Sequence, residues 1–196
     1  MKRSGSGGAM PSRRARGRMI VPLIFGIASI ALPAAAAGAV LQASGHALLC
    51  NRSPSVPMGF YRARVGAVTG ARVGEYVCLL GSGVHAPIAL REAIAQGRVP
   101  AKWKYEPLLK IVTGVAGDEI TYENDRVQIN GTSLERSTAL LADDHGHPLP
   151  RPPYPLVLAP GTVWLSSTHE RGFDSRYFGP VSLAALSCVA APLWTE

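Results

Sequence analysis

The sequence predicts a mainly β domain that follows one N-terminal transmembrane helix. Short segments with alternating or β-branched residues recur along the chain, and the pair Asn130 and Gly131 is a strong hairpin-turn signal. Residues 19–41 form an uncharged stretch as long as a membrane-spanning helix. With 196 residues, of which 47% are hydrophobic and 17% charged, the chain has the composition of a globular protein with one core-bearing domain.

Residues 1–18 form a basic tail that contains no acidic residue. Its basic side chains are those of Lys2, Arg3, Arg13, Arg14, Arg16 and Arg18. They account for most of the formal net charge of +7, so the rest of the chain is nearly neutral and a nucleic-acid-binding surface is poorly supported. We interpret the tail as a disordered cytoplasmic segment.

Residues 19–41 are predicted to be a transmembrane anchor, because such a run is long enough for a tilted helix to cross the hydrocarbon layer. Arginines that precede an anchor stay in the cytoplasm, which sends the remainder of the chain to the periplasm of a bacterium. The same stretch also fits a cleavable signal peptide, with small residues at 33–38, although we favour the retained anchor. Both interpretations export the body of the protein.

The exported body, residues 45–196, is predicted to contain strands joined by turns and one short helix. The predicted strands are residues 59–65, 72–80, 108–115, 119–122, 126–129 and 162–166. Residues 66–70 are the predicted turn after the first strand, residues 87–96 the helix that packs on the sheet, and residues 142–155 an exposed loop. In an oxidising compartment one pair among Cys50, Cys78 and Cys188 forms a disulfide, and the sequence does not say which.

Three stretches suggest chemistry. Residues 51–61 read NRSPSVPMGFY, in which prolines and a glycine hold the backbone in a stiff turn that would present a serine hydroxyl. Lys110 lies in the apolar run of residues 107–120, where either its burial lowers the pKa of the amine or it reaches water from a strand edge. Asp174 and Arg176, in residues 172–181, are spaced to form an ion pair ahead of a final strand.

In order and spacing these stretches resemble the bacterial type I signal peptidases, and within them the conjugative-transfer branch of TraF-like pilin-maturation peptidases. The resemblance covers residues 45–195. The first stretch matches an N-x-[ST]-x-S-x-P-x-G-x-Y box, residues 108–118 match an LLK-x-V-x-x-x-x-GD box, and residues 173–181 match FDSRYFGPV.

The resemblance implies a signal-peptidase-like β-rich catalytic domain with a serine-lysine dyad. Ser55 is then the nucleophile and Lys110 the general base. The oxyanion hole would use the backbone N–H of Ser55 and the hydroxyl of Ser53. Asp174 and Arg176 would support the loop behind the dyad.

The chain departs from the resemblance at one position. Leader peptidases place a serine two residues before the aspartate, where it orients the lysine, and this chain has Gly172. Either Ser166 or Ser167 substitutes for that serine, or the lysine lacks the partner.

Two other groups of residues are weaker candidates. Asp143, Asp144, His145 and His147 have a metal-like composition, but they lie in a proline-rich loop that favours a solvated surface. His169 would complete a Ser-His-Asp triad with Ser55 and Asp174, and the lysine box makes it the weaker base. We therefore expect neither a metal nor a cofactor.

The predicted function is that of a single-pass enzyme of the bacterial inner membrane, with its N-terminus in the cytoplasm and its catalytic domain in the periplasm. It would cut an exported precursor after small residues, with a conjugative pilin as the substrate that the resemblance implies, and either water or an amine would resolve the acyl-enzyme. The alternative is a non-catalytic periplasmic module that binds components of a conjugation apparatus. A third class, a cytosolic nucleic-acid-binding regulator, requires residues 19–41 to be a core helix and is disfavoured.

Overall fold

The computed structural model describes residues 43–196, which form eleven strands and a few short helices. The predicted tail and anchor, residues 1–18 and 19–41, lie outside the described residues. Between residues 43 and 196, no helix is long and apolar enough to cross a membrane.

A seven-stranded antiparallel sheet forms the larger part of the domain, in the order β1-β2-β11-β3-β4-β9-β10. Its strands are β1 (His46–Asn51), β2 (Gly59–Val65), β3 (Tyr76–Leu79), β4 (Leu108–Gly114), β9 (Thr162–Ser166), β10 (Val181–Ser182) and β11 (Leu186–Thr195). A smaller sheet, in the order β7-β6-β5-β8, contains β5 (Glu119–Glu123), β6 (Arg126–Ile129), β7 (Thr132–Thr138) and β8 (Leu156–Val157). The mainly β prediction is therefore confirmed.

The helices are short and pack beside the larger sheet. Helix α1 spans Ile88–Ala95 and α2 spans Ser175–Phe178, and single 3-10 turns occur at Ala101–Lys104 and Leu183–Ala185. The prediction of one helix was incomplete, because α2 is a four-residue turn capped by the carboxylate of Asp174, too short to leave a periodic pattern.

The two faces of the larger sheet bury different clusters, as the alternation of side chains along a strand requires. One face packs Val77, Leu79 and Val112 against residues of both helices. The opposite face buries Val56, Tyr61, Leu109 and the disulfide-bonded pair of cysteines in a second cluster. Val56 and Leu109, the neighbours of Ser55 and Lys110, therefore belong to the same buried cluster.

The cysteine pair is Cys78 and Cys188, which lie opposite each other on β3 and β11 and form a disulfide. Cys50 remains a free, exposed thiol. The pairing that the sequence left open follows from the adjacency of two strands 110 residues apart in the chain.

The predicted strand boundaries hold for β2, β6 and β9, and those of β4 and β5 shift by one residue. The predicted strand at residues 72–80 is wrong in its first half. There the N–H of Glu75 donates to the carbonyl of Arg72 (3.1 Å), and the Glu75 carboxylate accepts from the Arg72 N–H (2.9 Å). This local turn takes the backbone groups that a strand would need, so β3 begins at Tyr76.

Candidate active site

The loop that contains Ser55 is shaped by the side chain of Asn51. The Asn51 amide nitrogen donates to the carbonyls of Ser53 (2.9 Å), Val56 (3.0 Å) and Pro57 (3.0 Å). The amide oxygen of Asn51 accepts from the backbone N–H of Ser53 (3.2 Å) and from its hydroxyl (3.1 Å). One side chain therefore bonds three carbonyls, one N–H and one hydroxyl of the turn, which explains the asparagine at the start of the box.

Two further residues of the box fix the exit of the loop. The Tyr61 hydroxyl donates to the Pro57 carbonyl at 2.6 Å. Gly59 has φ +141°, and a Cβ at this position would lie 2.1 Å from the Trp194 carbonyl oxygen. The end of β11 therefore passes so close that only glycine fits.

Ser55 is half-buried, and its main chain is held by the segment that follows β9. Its carbonyl accepts from the Thr168 N–H at 2.7 Å and from the Ser167 hydroxyl at 3.0 Å. The Thr168 hydroxyl also donates to the Pro54 carbonyl at 3.3 Å. The serine is thus positioned by residues more than a hundred positions away in the chain, which local sequence patterns do not reveal.

Lys110 lies in the interior of the larger sheet. Its strand, β4, pairs with β3 on one side and β9 on the other, and the lysine side chain is fully buried. The alternative of a lysine that reaches water from a strand edge is therefore wrong. Among residues 43–196, no group hydrogen-bonds the Lys110 Nζ.

The burial of Lys110 lowers the pKa of its amine to about 8. Removal from water is the largest cause, because it disfavours the ammonium form. The negative charge of Asp174 acts in the opposite direction, and the positive charge of Arg176 adds to the lowering. A lysine with such a pKa has an appreciable neutral fraction near neutral pH and can accept a proton.

Asp174 and Arg176 form a buried, two-bonded ion pair. The Arg176 guanidinium donates through Nε to Asp174 Oδ1 (2.8 Å) and through Nη2 to Oδ2 (2.9 Å). It also donates to the carbonyls of Glu170, Gly172 and Thr138, each at 2.8 Å. The ion pair that the sequence predicted thus joins the end of β7 to residues 170–172 and α2.

The carboxylate of Asp174 also reaches the segment that holds Ser55. Its Oδ2 accepts from the Ser167 N–H at 2.9 Å, and Ser167 in turn donates its hydroxyl to the Ser55 carbonyl. Asp174 is therefore linked to Ser55 through one residue and acts on the pKa of Lys110 through its charge. This arrangement suits support of both residues.

Gly172 stands where Ser167 needs space. A Cβ on Gly172 would lie 2.2 Å from the Ser167 Oγ and 2.4 Å from its Cβ, so a larger residue at position 172 would collide with that side chain. Ser167 therefore fills the volume that a serine at 172 would take. Its hydroxyl accepts from the His169 N–H (3.1 Å) in addition to its bond to Ser55, and the Ser166 hydroxyl bonds that of Thr113 (2.7 Å).

Two cavities meet at Ser55. The narrow cavity, about 170 Å³, lies between the end of β1 and the start of β4. The wide cavity, about 320 Å³, extends towards α1, the loop at 140–149 and Phe173. Ser53, Ser55 and Trp103 line both cavities and thus form the wall between them.

The weaker candidates have other partners. Asp143 accepts from the backbone N–H groups of His145 and His147 (2.9 Å each) and pairs with Arg98 at 3.4 Å. The part of the chain that the structure describes contains no group of three or more His, Cys, Asp or Glu residues arranged to hold a metal ion. The His169 Nδ1 accepts from the Arg171 N–H at 3.2 Å, while the Asp174 oxygens bond Arg176 and Ser167, so the triad arrangement is absent from the described residues.

The family model for signal peptidases, peptidase S26, matches residues 88–194. The chain belongs to this family. The match includes Lys110, Asp174 and Arg176 and begins after Ser55. The resemblance predicted from the three boxes is confirmed.

Curated relatives extend the match over the serine box. A plasmid transfer protein TraF of Escherichia coli is 34% identical, over 81% of this chain and 91% of the relative. A probable conjugal transfer protein TraF of Sinorhizobium fredii is 30% identical over 95% of both chains. A solved signal peptidase I from Enterococcus faecalis is 17% identical, covering 62% of this chain and 97% of that one, with a TM-score of 0.37, a likeness too loose to support further conclusions.

The burial of Lys110 predicts a stability cost that depends on pH. The pKa of Lys110 in the folded state, about 8, lies below the ordinary value of 10.5. Burial of the charged amine therefore lowers the free energy of unfolding, fully below pH 8 and by less as the pH rises. The effect vanishes above the pKa of the unfolded state. We expect Lys110→Met to raise the free energy of unfolding by about 1–3 kcal/mol at pH 7 and by progressively less above pH 8. Urea unfolding at a series of pH values measures this difference.

The exposed residue Lys104 provides the matched control. Lys104→Met should change the free energy of unfolding by less than about 0.5 kcal/mol at every pH. If Lys110→Met were less stable than the wild type at pH 7, the conclusion that the Lys110 amine is buried without a partner would be wrong.

Proposed function

We propose that this chain is a membrane-anchored serine endopeptidase that processes an exported precursor, with Ser55 as nucleophile and Lys110 as general base. The observation that supports this most directly is the fully buried Lys110 amine, which has a lowered pKa and no hydrogen-bond partner among the described residues. A structural lysine would be expected to have a carboxylate or carbonyl partner. Membership of the signal peptidase family agrees with the assignment.

In the proposed reaction the neutral Lys110 amine takes the Ser55 hydroxyl proton as Oγ attacks the scissile carbonyl carbon. The carbonyl oxygen becomes an oxyanion that the Ser55 N–H stabilises, together with the Ser53 hydroxyl once this hydroxyl turns away from Asn51 Oδ1. The lysine ammonium then gives its proton to the leaving amine, and an acyl-enzyme forms on Ser55. Water or a second amine attacks this ester as Lys110 accepts its proton, and the lysine then gives that proton to the Ser55 Oγ as the ester bond breaks and the product is released.

The narrow cavity supports cleavage after small residues. It lies beside Ser55, between the end of β1 and the residues that precede Lys110, and has a volume of about 170 Å³. It is the smaller of the two cavities at Ser55, so of the two it is the one that suits a small residue such as alanine. We place the residue before the scissile bond here.

The substrate that we propose is a pilin precursor of a conjugation or type IV secretion apparatus. Two curated relatives are named as plasmid or conjugal transfer proteins, which supports this choice. We also propose that residues 19–41 anchor the enzyme in the inner membrane, with its N-terminus cytoplasmic, so that the catalytic domain acts in the periplasm close to the membrane surface. The alternative of a non-catalytic binding module called for a Lys110 that is exposed and too distant from Ser55 to share a hydrogen bond. The lysine is buried, and no hydrogen bond joins it to Ser55 among the described residues.

The first test is processing of the pilin precursor by full-length protein in cells, read by the intact mass of the product. We expect Ser55→Ala and Lys110→Met each to abolish processing, because either change removes one half of the dyad. Ser133→Ala and Lys104→Met, at exposed positions, are the matched controls and should process normally. A product lighter by one water than the linear peptide would identify ring closure.

Processing that survives in Lys110→Met would exclude the proposed base. Unprocessed precursor with the wild type, together with its retention on the protein, would instead favour the binding module. Thermal melting of each variant separates loss of chemistry from loss of folding.

The pH dependence of peptide cleavage should report the lysine. With Lys110 as base, kcat/KM rises about tenfold per pH unit below the pKa of its amine and levels off above it. That pKa is about 8 in the free enzyme. A kcat/KM that is already level well below the pKa of Lys110 would exclude the lysine as the base.

Ser53 should contribute to rate without being essential. We expect Ser53→Ala to lower kcat by about 10²–10³-fold with little change in KM, because the hydroxyl binds the oxyanion and not the ground-state substrate. Ser53→Thr keeps the hydroxyl and should retain most of the activity. Equal losses in the two variants would show that the effect does not come from the hydroxyl, and hence not from an oxyanion contact.

A further inference from the structure

We infer that the wide cavity is the subsite for the peptide segment that follows the scissile bond, and that it prefers a large apolar side chain there. This inference rests on the proposed function and adds a binding site to it. The wide cavity shares only Ser53, Ser55 and Trp103 with the narrow cavity.

The position of the wall between the cavities determines which part of a peptide enters each. An extended peptide whose carbonyl carbon sits at Ser55 has its acyl part on one side of the serine and its leaving part on the other. Because the narrow cavity suits the small residue before the bond, the leaving part is directed past Trp103 into the wide cavity. That cavity has nearly twice the volume of the narrow one, about 320 Å³ against 170 Å³.

The lining of the wide cavity indicates an apolar occupant. Apolar or aromatic side chains that line it beyond the shared wall include those of Val99, Leu140, Leu149, Phe173 and Tyr177. Phe173 and Tyr177 are stacked with ring centroids 5.4 Å apart, and both are buried in the main core, so this part of the lining is rigid.

The charged residues of the wide cavity are already paired with each other. Arg98 contacts Asp143 at 3.4 Å, and its guanidinium donates to the Pro148 carbonyl at 2.6 Å. Arg171 forms an ion pair with Asp144. Pairs of opposite sign leave little net field for a charged ligand, so binding in this cavity depends mainly on apolar contact.

Leu140 and Leu141 provide a matched pair of positions. Leu140 is half-buried and lines the wide cavity, whereas its neighbour Leu141 is 76% exposed and does not line it. The same substitution at the two positions therefore either fills the cavity or leaves it open. Replacing Leu140 by alanine enlarges the cavity instead.

The experiment measures cleavage of synthetic peptides by the full-length protein. Each peptide has alanine before the scissile bond. The first and the second residue after the bond are varied one at a time among Ala, Leu, Phe, Glu and Lys. We expect the wild type to cleave the best Leu or Phe peptide with a kcat/KM at least about 5-fold above that of the Ala peptide. Leu140→Trp should lose this preference, so that kcat/KM for the Leu or Phe peptide falls to the value for the Ala peptide. Leu141→Trp should match the wild type, and Leu140→Ala should shift the preference towards Phe.

Binding of the same peptides to Ser55→Ala protein, followed by fluorescence anisotropy, tests the subsite independently of catalysis. The subsite is supported if the Phe peptide binds more tightly than the Ala peptide, and if Leu140→Trp abolishes this difference while Leu141→Trp preserves it. This holds even if the wild type cleaves no peptide, because absence of cleavage would overturn the peptidase function alone. Indifference of both cleavage and binding to the residues after the bond would overturn the subsite. The subsite would also be overturned if Leu140→Trp and Leu141→Trp changed the peptide preference equally.

Discussion

The buried ion pair between Asp174 and Arg176 is the interaction on which the candidate site depends. Removing one partner of such a pair leaves an uncompensated charge in the interior, which typically costs about 3–5 kcal/mol. Here the guanidinium also donates to carbonyls of the β7 end and of residues 170–172. The pair therefore holds the end of β7, residues 170–172 and α2 together.

The same pair keeps Asp174 from becoming a direct partner of the lysine. Both carboxylate oxygens accept from Arg176, and one also accepts from the Ser167 N–H. A free carboxylate beside Lys110 would stabilise the ammonium and raise the pKa of the amine. Because Arg176 brings a positive charge alongside the negative one, burial remains the dominant effect and the pKa falls. Support of the loop and activation of the base are thus two results of one ion pair.

The three boxes of the candidate site were easier to locate in the sequence than the elements that surround them. The residues of the three boxes were identified because they stand close together along the chain, and strands β2, β6 and β9 because each has a local alternating pattern. Strands β1, β7, β8, β10 and β11 were missed. β11 contains consecutive apolar residues and Pro192, so it lacks the alternation of apolar and polar residues by which a strand is recognised. Its pairing with β2 and β3 depends on tertiary contacts. The burial of Lys110 was undecided for the same reason, since it depends on the strands that flank β4.

Ser167 and Thr168 illustrate what local patterns cannot provide. Their hydrogen bonds to the Ser55 and Pro54 carbonyls connect residues 112 and 114 positions apart. The only hint in the sequence was negative, namely Gly172 where related peptidases have serine. The structure gives a steric reason for this departure, because the side chain of Ser167 occupies the space that a side chain at position 172 would need.

The two cavities also bear on how an acyl-enzyme on Ser55 would be resolved. Water and a peptide amine compete for the same ester, and the outcome depends on which is present at higher effective concentration beside the carbonyl carbon. A wide cavity that binds apolar peptide segments would raise the effective concentration of an amine carried by such a segment, and the bound segment would also exclude water from the ester. Under the proposed mechanism, ring closure and hydrolysis therefore need no difference in the dyad. They differ in what enters the wide cavity after the leaving segment departs. If a segment that carries an amine binds there, the amine reaches the ester first; otherwise water does.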